Sequence, residues 1–309
     1  MATEFEGIKN QALVEELGEV LARPEELPEV SSFRIASYNL HNLFGAAPDV
    51  HSSRPSPPAS AEQLNALAKM IVDLGADAIA FQEVQNELVL SDLFRKKINP
   101  KLEKPKRFTT FICNPSHDPR GINVALTTRF AVNGTMNFKE REFGDLDEKA
   151  KKFSRDLLGV DMYATPSYRF MFFVAHLKSK LGGETSAYKR SLEAEEIRTI
   201  LDTPTFGGQP FILQDIVVAG DMNDDPDTET IKILRGEEPS VLRDLLADVD
   251  PNHTYPTHTR YKKTRLDYIF ASPTIQITHV EIHRENPAAS EASDHYPISA
   301  TVDVPRKRR

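Results

Sequence analysis

Residues 216–226 read Ile-Val-Val-Ala-Gly-Asp-Met-Asn-Asp-Asp-Pro, an apolar, β-branched run followed at once by polar oxygens. Such a run is the signature of a buried strand. Side chains alternate along a strand, so Asp221 and Asn223 share a face if the extended geometry persists. Gly220 leaves room for a backbone or a ligand to come close. A carboxylate and an amide at a buried strand end can serve a metal ion and a phosphate. The same residues also make an ordinary Asp/Asn/Pro turn. Three more apolar runs end alike: 33–40 at Asn39, 78–81 at Gln82-Glu83, and 170–175 at His176. Repeated polar endings on buried strands place a site at one rim of a sheet.

These residue types suit phosphoester chemistry. A phosphodiester is a slow electrophile because its anionic oxygens repel a nucleophile. A divalent cation neutralises developing charge and orients the phosphate. Carboxylate and amide oxygens suit hard ions such as Mg²⁺ or Mn²⁺. No Cys/His cluster suggests structural zinc. Histidine titrates near neutral pH and can move protons or stabilise charge.

The elements that must carry these groups follow from periodicity. Phe5, Ile8, Leu13, Leu17, Val20 and Leu21 recur at helical spacing, predicting an N-terminal amphipathic helix with a proline linker over 1–30. Ser60 and Gln63 form a capping-box signature before a helix over Leu64, Leu67, Ile71 and Leu74, stopped by Gly75. Helices are also expected over 88–98, 186–201 and near 228–234. Further strands are expected over 108–112, 124–126, 267–270, 275–283 and 298–304. Residues 139–152 read as a charged, exposed excursion, and 101–107 as a basic surface loop. Residues 306–309 form a basic tail after a domain over 31–305. This order of elements is mixed α/β with much antiparallel character.

The 309-residue chain is 39% hydrophobic and 27% charged, ordinary for a globular protein. Its net charge of −8 means that a polyanion must be held by local basic groups or by metal. One cysteine, Cys113, fits a reducing compartment, and no stretch is long enough to span a bilayer. The expectation is a cytoplasmic protein.

Two more stretches complete a set: Thr264-Arg265-Leu266-Asp267-Tyr268-Ile269-Phe270 and Ala292-Ser293-Asp294-His295-Tyr296-Pro297-Ile298. With Ser37-Tyr38-Asn39, Gln82-Glu83-Val84, the His176 segment and Gly220-Asp221-Met222-Asn223, they resemble the endonuclease/exonuclease/phosphatase superfamily of deoxyribonuclease I-like proteins. The resemblance covers 33–304 and is nearest to bacterial nuclease-type members. It implies a four-layer αββα sandwich of two packed mixed sheets flanked by helices. It implies that Glu83, with Asn39 and Asp294, holds Mg²⁺ or Mn²⁺. Asp221 and Asn223 would position water and phosphate. His176 would contact the phosphate, and His295 would be an acid/base group oriented by Asp267. Arg155 and Lys178 would meet the substrate. Many relatives support the histidine equivalent to His176 with an acidic residue or tyrosine; here the nearest candidate is Asn123. The chain also lacks the tryptophan that abasic-site endonucleases of this fold usually carry. The expected activity is metal-dependent hydrolysis of DNA or RNA. The alternatives are a phosphatase or phosphodiesterase of small or lipid-headgroup phosphoesters, and an inactive binding module. An inactive member would lack one of Glu83, Asp221 or His295, and all three are present.

Overall fold

The computed structural model describes residues 22–47, 52–54, 56–144, 151–203, 210–247, 249, 257–258 and 264–305. The predicted N-terminal helix and the basic tail lie outside the described residues. Among the described residues, twelve strands form two six-stranded sheets. The first contains β1 (Ser32–Leu43), β2 (Ala78–Val84), β3 (Thr110–Cys113), β4 (Asn123–Thr128), β11 (Gln276–Ile282) and β12 (Ile298–Asp303), in the order β11-β12-β1-β2-β4-β3. The second contains β5 (Ala131–Met136), β6 (Leu158–Thr165), β7 (Tyr168–His176), β8 (Ile216–Asp221), β9 (Arg243–Asp244) and β10 (Asp267–Ala271), in the order β5-β6-β7-β8-β10-β9. The helices are α1 (Ala61–Leu74), α2 (Glu87–Leu93), α3 (Gly183–Asp202), α4 (Glu229–Arg235) and α5 (Ala289–Ala292).

Strand alternation explains the layers. On β1, Phe33 and Ile35 enter the core between the sheets, while Ala36, Tyr38 and Leu40 pack beneath α1 and α2. On β8, Val217 and Ala219 face the inter-sheet core, while Ile216 and Val218 pack with Ile197 of α3 and Ile231 of α4. Three apolar layers therefore separate four layers of structure, helix–sheet–sheet–helix. Each fully buried Val, Ile or Phe among them contributes about 1.5–3 kcal/mol.

The same alternation aims the polar strand ends. Asn39 continues the Phe33–Ile35 face, His176 the Phe172–Val174 face, and Asp221 the Val217–Ala219 face. Asp267 shares its face with Ile269 and Ala271. A period of two thus points all four side chains into the space between the sheets. Each sheet has one parallel pair at its centre, β1 with β2 and β7 with β8, so their carboxyl ends lie together.

Helix α1 has the predicted ends. Ser60 accepts from the Gln63 N–H at 3.1 Å, and Gly75 closes the helix at φ 57°. The Gln63 side chain does not return to the cap. It donates to the Leu40 and His41 carbonyls at 3.2 and 3.1 Å, tying α1 to the end of β1.

The structure adds to the expected elements. Strands β5 and β6 flank the predicted 139–152 excursion, in stretches to which the sequence assigned no element; Gly134 and Asp161 interrupt their apolar pattern. Asp161 is buried and satisfied by Asn133 and Arg169 from the neighbouring strands. At the edge of the 139–152 segment Phe143 is buried on Phe153, with ring centroids 4.8 Å apart. The basic 101–107 loop enters β3 at Thr110, which pairs with Thr128, itself opposite Ala78 at the start of β2. That loop is at the end of the sheet remote from Asn39 and Glu83.

Candidate active site

Register brings three site residues into one row: His176 of β7, Asp221 of β8 and Asp267 of β10. This close approach depends on Gly220, whose φ is 149°; a Cβ there would lie 1.9 Å from the Ala175 carbonyl oxygen. Asn39 reaches across from the other sheet and donates its amide N–H to Asp221 Oδ2 at 3.1 Å. Asp221 Oδ1 accepts from the Asn223 N–H at 2.8 Å, and the Asn223 amide donates to the Leu177 carbonyl at 3.1 Å.

His295 sits above this row. Its Nδ1 is 2.8 Å from Asp267 Oδ2 and its Nε2 is 3.7 Å from Asp221 Oδ2. The turn before it is pinned by Ser293, which donates to the Asn39 carbonyl at 2.7 Å and accepts from the His295 N–H at 3.1 Å. His176 Nε2 approaches the same Asp221 oxygen at 3.7 Å, and its Nδ1 has no partner among the described residues. Asn123 does not support it. The Asn123 side chain accepts from Ser116 N–H and donates to the Gln85 carbonyl.

Glu83, the last residue but one of β2, has φ 62°, a left-handed conformation that is costly for a side-chain-bearing residue. Its Oε2 accepts from the Asn42 N–H at 3.0 Å. Strand β1 bulges here, with His41 and Asn42 at φ 49° and 62° and the register against β2 shifted. The bulge re-aims a side chain, as bulges beside active sites do. His41 Nε2 lies 3.6 Å from Asp294 Oδ2. His258 Nε2 lies 3.5 Å from the same oxygen, and its ring meets that of His295 edge-on at 4.8 Å.

Arg155 is buried; one terminal nitrogen donates to the Leu177 carbonyl at 3.1 Å, and the other is 3.0 Å from Asp118. Lys178 is half-buried, and its backbone N–H donates to Glu193 at 2.7 Å. Glu193 of α3 also accepts from the Ser154 N–H at 2.7 Å. One turn earlier, Arg190 reaches Asp224 at 3.2 Å and the Lys178 and Ser179 carbonyls. Helix α3 thus holds the loops bearing Arg155, His176 and Asn223. Sequence reading missed His41, His258, Arg190 and Glu193. His41 and His258 stand outside any apolar run, and α3 carries buried charge where periodicity expects apolar residues.

Electrostatics separates the two central histidines. Burial opposes the charge of His295, but the Asp267 and Asp221 carboxylates overcome it and push its pKa up to about 10. Burial, then the charges of Arg155, His295 and Arg120, holds His176 well below the ordinary range. Burial pushes the Asp221 carboxyl up to about 7, with Asp267 and Glu83 adding to the effect. Burial also opposes ionisation of Asp294, but His258, His295 and His41 hold its carboxyl down at about 2.

Such crowding of carboxylates suits a cation. Ligand atoms of Asp221, Asp267 and His295 all lie within 4.8 Å of one another. Asp267 Oδ1 is buried with no partner among the described residues. Glu83 is close enough for its charge to raise the Asp221 pKa. The donor set fits a hard divalent ion.

A sandwich of two mixed sheets with a buried acid–imidazole–amide cluster at the strand ends defines a phosphoester-hydrolase fold. The family model described as "Endonuclease/Exonuclease/phosphatase family" matches residues 34–244, and the chain belongs to that family. No curated protein matches the chain by sequence. Among solved structures, the human Nocturnin catalytic domain with bound sulfate superposes with a TM-score of 0.62 at 18% identity, covering 88% of this chain and 93% of that one. ANGEL2, a 2′,3′-cyclic phosphatase, gives 0.61 at 14% identity, covering 88% of this chain and 95% of that one. An AP endonuclease from Archaeoglobus fulgidus gives 0.56 at 16% identity, covering 88% and 100%. Among the described residues no helix is long and apolar enough to cross a membrane.

Proposed function

We propose that the protein is a divalent-metal-dependent phosphodiesterase whose substrates are nucleic acids. The observation that carries the reading is the His176–Asp221–Asp267 row with His295 locked onto Asp267. Glu83, Asn39, Asp221 and Asp267 are the oxygens that would hold Mg²⁺ or Mn²⁺, with Asp294 at their rim. The ion would neutralise phosphate charge and orient the phosphate.

The side chains divide the remaining work. Asp221, fixed by Asn39 and the Asn223 N–H, aligns the attacking water. His295 is held charged by Asp267, so its Nε2–H faces the phosphate as a donor and then supplies a proton to the leaving oxygen. His176 is neutral and presents Nε2 beside Asp221. Two histidines whose surroundings drive their pKa values apart are suited to different protonation roles. Arg155 acts indirectly, through Leu177 and the charge it sets beside His176. Lys178 follows His176 and gives a polyanion local positive charge on a chain of net charge −8, whereas the charge of Lys180 is taken up by Asp225. The structural neighbours support phosphoester chemistry in general: one is named an endonuclease and another a cyclic phosphatase.

The test is hydrolysis by the full chain with Mg²⁺ or Mn²⁺ across duplex DNA, single-stranded DNA, RNA, abasic duplex, 2′,3′-cyclic nucleotides and inositol phosphates. Cleavage of a polynucleotide, abolished by chelator and by Asp221→Asn, supports the proposal. Hydrolysis of only the small phosphoesters replaces it with the phosphatase reading. No hydrolysis of any member, with the fold intact, favours a binding module.

A further inference from the structure

We propose that His258, Asp294 and His295 form a second cation site, at the mouth of the first, selective for zinc-class ions. Ligand atoms of these three residues lie within 4.8 Å of one another. His258 and His41 place their Nε2 atoms 3.5 and 3.6 Å from one oxygen, Asp294 Oδ2. Ligands about 2.0–2.1 Å from a tetrahedral zinc ion stand about 3.3–3.4 Å apart. The observed gaps are close to that edge.

The surroundings fit a metal ligand independently. A ligating histidine usually donates its other ring N–H to a carboxylate, which fixes tautomer and orientation. His295 has that partner: Nδ1 is held by Asp267 at 2.8 Å, and Nε2 becomes the ligand atom as zinc displaces its proton. His258 is fixed from its own backbone, through a bridge to His295 and through Thr257, whose carbonyl accepts the Tyr296 N–H at 2.7 Å. His41 is 40% exposed, so its ring can turn inward as a fourth donor without unpacking the core. Two or three imidazoles and one carboxylate select Zn²⁺ over Mg²⁺, which prefers oxygen. Zinc bound here occupies the Nε2 atom that hydrolysis requires, so the site makes a Mg²⁺-dependent activity zinc-inhibited.

The test titrates Co²⁺, then Zn²⁺, into the full chain in millimolar Mg²⁺. The expected result is one equivalent of Co²⁺ with the intense visible absorption of tetrahedral coordination, displaced by Zn²⁺. In His258→Gln, affinity should fall by about 100-fold, since loss of a partner one shell further out already costs about 10–100-fold. The zinc concentration that inhibits hydrolysis should rise by the same factor. Unchanged Co²⁺ affinity in His258→Gln, or only the weak spectrum of six-coordinate cobalt, overturns the inference. If His258→Gln does not fold, the imidazole resonances of the wild type decide. One equivalent of Zn²⁺ must shift those of His258 and His295 and spare His279. The inhibition measurement rests on the proposed hydrolase activity, whereas the cobalt spectrum does not. Tetrahedral Co²⁺ at His258 in a protein without hydrolase activity would therefore support the site while refuting the activity.

Discussion

Replacing Asp267 with Asn removes one charge at constant size from the contact that sets the state of His295. Burial alone would depress that histidine. The carboxylates carry it instead from 6.5 to about 10. At 1.36 kcal/mol for each pH unit, that rise is a preference of about 5 kcal/mol for the charged ring. Asp267 is the first of the groups that raise it, ahead of Asp221 and Asp294. Asp267→Asn therefore lets burial reassert itself and also admits the wrong tautomer. Turnover on a generic phosphodiester at saturating Mn²⁺ should fall by about 10²–10⁴-fold, the range of a positioned acid or base. The limb of the pH–rate profile that reports His295 should move to lower pH, and its imidazole resonance should titrate lower by NMR. Stability supplies a second sign. A raised histidine pKa contributes stability that is complete below 6.5 and lost as pH rises through about 10. The melting gap between wild type and variant should thus be larger at pH 6 than at pH 10. The double variant with His295→Ala should lose little more than the worse single one, because residues acting as a unit are non-additive. Wild-type turnover in Asp267→Asn, or an unmoved His295 titration, refutes this reasoning.

Glu83→Gln should lower turnover by about 10³-fold while melting stays within a few degrees, since its half-buried carboxylate is proposed to hold the ion and is not part of the apolar core; activity that persists in excess chelator would contradict the role. Gly220→Ala would set a Cβ 1.9 Å from the Ala175 carbonyl, so a loss of about 3 kcal/mol or more in urea melts, or failure to accumulate as soluble protein, is expected. Burial pushes the Asp156 carboxyl from 3.8 up to about 7, against hydrogen bonds from Asn114 and the Phe138 N–H. A raised carboxyl pKa costs stability as pH rises from 3.8 to 7, by up to about 4 kcal/mol, and Asp156→Asn should flatten that slope between pH 4 and 7; an unchanged slope would exclude Asp156 as its source. Glu193→Ala leaves the Ser154 and Lys178 N–H groups unpaired, at about 1–3 kcal/mol each, and should lower turnover as well as melting temperature. A lower melting temperature with unchanged turnover would show that the α3 contact does not position the site.

Much of the central row was readable because buried strands announce themselves. Residues 170–176 and 216–221 are apolar on both faces, so the first polar residue marks the rim, and β2 behaves the same way, whereas β1 carries Arg34 and Ser37 before Asn39. Alternation then fixes the direction of Asn39, His176 and Asp221 without any contact information. Glu83 follows no such parity; its left-handed backbone turns it, and a φ angle has no one-residue signature when the residue is not glycine. Strands β5 and β6 were hidden because Asp161 is buried by virtue of Arg169 and Asn133, which are neighbours in the sheet and distant in sequence. His258 was hidden for the same reason: its neighbours Asp294 and His295 lie more than thirty positions away. Asn123, the nearest candidate partner for His176 in the sequence, is consumed locally, by the Ser116 N–H and the Gln85 carbonyl.

The topology also sets an order of events during synthesis. All strands of the second sheet come from one continuous stretch, 131–271, whereas the first sheet joins β1–β4 to β11 and β12 from the far end of the sequence. Strand β1 pairs Ser32 with Asp303, and β1 and β2 cannot gain their full neighbour set until β12 exists. A nascent chain that has reached residue 290 already contains Glu83, His176, Asp221 and Asp267, yet it has no His295 and no Ser293 to grip β1. Non-local pairing of this kind is slow and comes late. The consequence is a built-in delay: a growing polypeptide holds most of the acid–imidazole cluster but cannot complete it until the segment carrying Ser293 and His295, and the strand that closes the first sheet, have been made.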